Sequence, residues 1–130
     1  MRFLRYQLPA LLWAFAIFLS SSLPARAFPT LAIFRYDKII HFVLFGLLAI
    51  FVYRAFSLPS SIGKFSWGRA LVTILLAAMY GVSDEFHQKF VPGRTPDVFD
   101  AAADTAGACA AMLLIFITSM LRHRRNTPRT

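Results

Sequence analysis

Three short stretches of this chain carry nearly all of its acid–base chemistry. The first reads Tyr36-Asp37-Lys38-Ile39-Ile40-His41. The second is Ser83-Asp84-Glu85-Phe86-His87-Gln88-Lys89, and the third runs from Arg94 through Asp97 and Asp100 to Asp104. Between them they hold all six acids. Asp37 and His41 are four apart, hence neighbours on one helical face. A carboxylate beside an imidazole selects its tautomer and raises its basicity. Asp37 also reads as a helix cap and Lys38 as a lysine reaching for the headgroups, but neither role accounts for His41. In the second stretch Asp84 and Gln88 share a face with Tyr80, while Glu85 and Lys89 share the next. Two adjacent acids at a helix C-terminus oppose the macrodipole, so Lys89, Arg94 or a polar pocket between helices must compensate them.

The third stretch opens on Pro92-Gly93, a type II turn signal, and Thr95-Pro96 then reads as N-cap and first helical residue. Asp97, Asp100 and Asp104 fall at i, i+3 and i+7, one stripe down a helix. Asp104 lies about two turns inside an apolar run, where it must be protonated or paired with Arg94, Lys38 or His41. The candidate acid–base residues are therefore His41, Asp84 and Glu85. The candidate ligand-binding set is Asp37, Lys38, His41, Asp84, Glu85, Gln88, Arg94, Asp97, Asp100 and Asp104. Carboxylates with a histidine suit a metal, but no HExxH or comparable ligand spacing is present. The single cysteine, Cys109, excludes a multi-cysteine site and an intrachain disulfide. No metal and no cofactor are expected.

These residues punctuate a chain that water could not dissolve. Of 130 residues, 58% are hydrophobic and 15% charged, against roughly 45–50% and about 25% in soluble domains. Such a composition excludes both a water-soluble fold and a disordered chain. Apolar stretches at 8–23, 39–56, 67–83 and 98–121 predict an all-α polytopic bundle of four transmembrane helices, spanning about 8–25, 37–56, 67–88 and 97–121. The first stretch also resembles a signal peptide, with Ala25-Arg26-Ala27 as its cleavage site. Retention as a span is the preferred reading, because three further spans follow it. With both termini inside, nine of the fourteen basic residues face the cytoplasm and all six acids face out. That places the chain in the cell membrane, with residues 122–130 as a basic cytoplasmic tail. The net charge of +8 is spread over membrane flanks and that tail, which excludes a nucleic-acid face. Ala103, Gly107 and Ala111, with Ala106 and Ala110 beside them, form a small-residue ridge for close helix packing.

Taken together, Asp37-Lys38-x-x-His41-Phe42, Asp84-Glu85-x-x-Gln88-x-Phe90-x-Pro92-Gly93-Arg94-x-x-Asp97 and Asp100-x-x-x-Asp104-Thr105-x-Gly107 resemble the VanZ-like family of small membrane proteins. The resemblance covers about 36–121, and the family usually has Asn where this chain has Asp104. It implies a four-helix membrane protein of the cell envelope, and its founding member is associated with resistance to the glycopeptide teicoplanin. It implies no mechanism. Three functions stay open. The first is binding or modulating a lipid-linked or peptidoglycan-related component through an outward polar pocket in the bilayer. The second is a membrane enzyme using Asp, Glu and His as acid–base groups. The third is a proton-coupled transporter built on Asp104, which the absence of repeats and broken helices disfavours.

Overall fold

The computed structural model describes residues 2–27, 33–57 and 64–126, and every regular element in them is helical. In order these are α1 (Arg2–Tyr6), α2 (Leu8–Ser21), a single 3-10 turn at Ala25–Ala27, α3 (Ile33–Ala55), α4 (Trp67–Gln88) and α5 (Val98–Asn126). Positions 58–63 of the polar connector, and 127–130 of the basic tail with Arg129, lie outside the described residues. Local chemistry sets the helix ends. A proline occupies the first turn of α2, where a missing N–H costs nothing. The Ser66 hydroxyl accepts the Arg69 N–H to start α4. Arg124 and Arg125 sit in the last turn of α5, against its negative end.

At 23 and 29 residues, α3 and α5 run about 35 and 43 Å, enough for a hydrocarbon core of about 30 Å. Two segments, Tyr36–Ala55 and Val98–Arg125, are long and apolar enough to cross a membrane. In α4 the apolar middle is shortened by Arg69 at one end and Asp84 and Glu85 at the other. At 14 residues α2 reaches only about 21 Å. Only 28% of each crossing segment is buried within the protein, so neither is the hidden core helix of a soluble fold. Leu71, Val82, Leu113 and Leu114 are all more than half exposed. An apolar exterior on this scale belongs in lipid. This is a membrane protein.

Successive long helices alternate in direction. At one end Ser21 meets Asp84, Ala25 meets Pro92 and Lys38 meets Asp97. At the other, Tyr53 meets Ser66, Arg69 meets Ser57 and Phe65 packs on Phe116. The core between them is built from Ile17, Phe45, Leu48, Ala49, Ala77, Ala108 and Met112. The closest crossing joins α3 to α5 through glycines. A Cβ on Gly107 would collide with the Phe42 carbonyl oxygen and lie 3.1 Å from the Gly46 nitrogen. The predicted small-residue ridge is therefore used at Gly107 and Ala111, while Ala106 and Ala110 face outward. Its partner, Gly46, carried no signal of its own in the sequence.

Candidate functional site

The end where the C-termini of α2 and α4 meet the N-termini of α3 and α5 collects all three polar stretches. On α3 the first turns present Asp37, Lys38 and His41. The His41 ring lies parallel to that of Phe45 (centroids 6.3 Å apart) and has its Nδ1 2.9 Å from Asp104 Oδ1. Its Nε2 stands 3.9 Å from Asp37 Oδ1, too far for a hydrogen bond. Asp104 is fully buried. Its Oδ2 finds no donor among the described residues and lies against Gly81 of α4, where a Cβ would come within 2.6 Å of it. Of the partners foreseen for Asp104, the structure selects His41. With Asp104 ionised its oxygen accepts, so Nδ1 carries the hydrogen and Nε2 faces Asp37.

Lys38 reaches across to α5, with Nζ 2.6 Å from Asp97 Oδ2 and 2.9 Å from Asp100 Oδ1. Asp97 carries two loads at once. Its Oδ1 accepts the Phe99 N–H at 2.8 Å, and its own N–H donates to Glu85 Oε2 at 2.8 Å. That second bond pins the chain at Asp97, so α5 starts at Val98 and Asp97 is its cap, two residues later than the Thr95-Pro96 signal suggests. The Lys38 ammonium, helped by the Phe99 N–H, holds the Asp97 carboxyl below its ordinary 3.8.

The adjacent acids of α4 are not balanced by Lys89, whose ammonium lies over the Phe86 ring. Both are buried and take neutral donors. Asp84 accepts from Ser21 at 2.6 Å and from Gln88 at 3.1 Å. Glu85 takes the Asp97 N–H and a long bond from Gln88. Ser21, and Ser22 beside His87 Nε2 at 3.0 Å, were missed by the sequence reading. Their signal was there: three hydroxyls in a row, Ser20-Ser21-Ser22, ending an apolar run. Two further bonds tie α2 in, from Trp13 Nε1 to the Leu44 carbonyl and from Tyr80 to the Ala14 carbonyl.

Gly93 has φ of 77°, the left-handed conformation a turn glycine supplies. The turn docks on the 3-10 segment through the Ala25 N–H to Pro92 carbonyl bond. It thereby sets Arg94 over the site, where Nε donates to the Leu23 carbonyl at 3.4 Å. A cavity of about 240 Å³ opens here. Asp37, His41, Asp84, Gln88 and Arg94 line its polar side, and Trp13, Ile17, Leu44 and Phe45 its apolar side. Of the remaining candidates, Lys38, Glu85, Asp97, Asp100 and Asp104 do not line that cavity but bond to one another or to its lining. Asp37, His41 and Asp100 each offer a donor atom, all within 4.8 Å of one another.

Comparison with known proteins places this sequence in a family. A stretch of 99 residues is 36% identical to an uncharacterized protein of Schizosaccharomyces pombe, covering 75% of this chain and 54% of that one. The chain thus spans about half the length of the curated relative it matches. No solved structure matches. The family model VanZ/LLP1 matches residues 5–119, which takes in every site residue described above, and the chain belongs to that family.

Proposed function

We propose that this protein crosses the cell membrane four times with both termini in the cytoplasm, and that its polar site opens outward to hold the anionic headgroup of a lipid-linked envelope component. The observation that carries this reading is the two-sided cavity. Its apolar wall suits an acyl or isoprenoid chain, and its polar wall ends in Arg94. A guanidinium offers a planar fork that matches phosphate. Asp37 and Asp84 face whatever donors the headgroup carries beyond the phosphate, such as sugar hydroxyls or an amine. The association of the family's founding member with teicoplanin fits a lipid-linked cell-wall component as ligand. Native mass spectrometry of the full chain, released gently from membranes, tests this. One defined class of phosphate-bearing lipid should remain on the wild type and be lost from Arg94→Ala. Neutral lipids only, or equal retention by both, would contradict it.

A second reading has its own observation. An imidazole held by a buried carboxylate, with its other nitrogen facing a cavity, is the arrangement of a general base. In that reading His41 and the neighbouring acids Asp84 or Glu85 act on the bound lipid. Chemical change of that lipid on incubation, abolished in His41→Gln, would favour the enzyme over the binder.

A further inference from the structure

We infer that Asp37, His41 and Asp100 form a binding site for one divalent transition-metal ion of the Mn²⁺ or Zn²⁺ type. The inference does not rest on the lipid reading above, although Asp37 and His41 line the same cavity. Three observations meet at this point. Asp104, fully buried, occupies His41 Nδ1 at 2.9 Å. A carboxylate behind a histidine in this way is what fixes the Nε2 lone pair of a metal-binding imidazole and raises its basicity. Secondly, that Nε2 makes no hydrogen bond among the described residues, although the His41 side chain is only 11% exposed. It faces the cavity beside the Asp37 carboxylate, 3.9 Å away. Thirdly, a carboxylate oxygen of Asp37 and one of Asp100 lie within 4.8 Å of each other and of the imidazole. Two carboxylates have only acceptors to offer each other, so the pair calls for a proton or a cation between them.

The donor set decides the class of ion. One imidazole nitrogen and two carboxylates, with no sulfur, suit Zn²⁺ and Mn²⁺ better than soft Cu⁺ or an all-oxygen Ca²⁺ site. An ion bound at about 2.1 Å separates its ligand atoms by at most about 4.2 Å. Closing the observed 4.8 Å envelope takes a small rotation, which the half-buried Asp37 side chain can make. Lys38 is the competitor. Its ammonium holds Asp100 Oδ1 at 2.9 Å, so it must yield that oxygen or share it when the ion enters.

The test uses the full chain in detergent, stripped with chelator and titrated with Mn²⁺ alone, with electron paramagnetic resonance as the readout. One Mn²⁺ should bind per chain, be displaced by Zn²⁺, and show nitrogen modulation that disappears in His41→Gln. Asp37→Asn and Asp100→Asn should each weaken binding more than tenfold. Asp104→Asn, which alters only the group behind the imidazole, should weaken it about 10–100-fold. Lys38→Met should move the other way and tighten it severalfold, so a variant that folds poorly cannot imitate the whole pattern. Arg94→Ala, which removes a cation from the cavity that Asp37 lines, should bind Mn²⁺ at least as tightly as the wild type while losing lipid phosphate, which separates failure of this inference from failure of the lipid reading. No uptake by the wild type up to about 1 mM, or uptake unchanged in both Asp37→Asn and Asp100→Asn, would overturn it.

Discussion

His41 and Asp104 show how much of the site hangs on one hydrogen bond. Asp104 is wholly buried with His41 as its partner, so removing the imidazole leaves a buried carboxyl without its donor. His41→Ala should cost about 3 kcal/mol, read as a lower melting temperature in detergent. Asp104→Asn keeps an oxygen for the Nδ1–H and should cost under about 1.5 kcal/mol. Asp104→Leu should behave like His41→Ala. Asp97 gives a separate, pH-dependent signature. Lys38 and the Phe99 N–H lower its carboxyl from an ordinary 3.8. A depressed carboxyl stabilises the fold above its unfolded value and loses that contribution as pH falls through its folded one. Wild-type protein should therefore lose stability between pH 5 and pH 3 more steeply than Lys38→Met. Identical acid profiles for the two would show that the pairing contributes nothing.

Elements position these residues through backbone proximity more than through side-chain fit. The α3–α5 crossing is set by Gly46 and Gly107, and the α4–α5 contact by Gly81 facing Asp104. Gly107→Ala must push the Phe42 carbonyl away, at the upper end of the about 1–3 kcal/mol typical of overpacking. Gly81→Ala should be milder in stability yet should displace Asp104, seen as a changed His41 imidazole shift by nuclear magnetic resonance. An unchanged imidazole signal would mean Asp104 is not held where the structure has it. These contacts mark where sequence reasoning stopped. The helices, and the membrane-facing character of their surfaces, could be read from apolar runs and charge punctuation. The Asp37–His41 adjacency followed from a four-residue spacing. Which partner Asp104 takes, and that Ser21 serves Asp84, depends on how helices 63 positions apart are rotated. No local pattern encodes that rotation. The start of α5 was misjudged for the same reason, since the bond that fixes it comes from Glu85 on another helix.

For the whole molecule, antiparallel helices put every acid at one end and leave Arg54, Lys64 and Arg69 at the other. Basic excess on one side is what orients a membrane protein. On a Cys109→Ala background, a cysteine at Lys89 should react with an impermeant reagent in intact cells and one at Lys64 should not. The reverse pattern would invert the proposed topology. The first helix bears on this as well. Ile17 lies in the core and Ser21 holds Asp84, so the mature protein should retain residues 8–25, as intact-mass measurement would show.

The central claim is that four helices converge on one site whose cation for an anionic headgroup is Arg94. Thermal unfolding of Arg94 variants, with and without phosphatidic acid in the micelles, tests it most directly. Arg94→Ala should melt close to the wild type without the lipid and gain nothing when it is added, while Arg94→Lys should recover part of the gain, keeping the charge but not the fork. A sharp loss of stability in Arg94→Ala without lipid, restored at pH 5, would contradict the account, because Arg94 would then serve to balance the buried acids and not to hold a ligand.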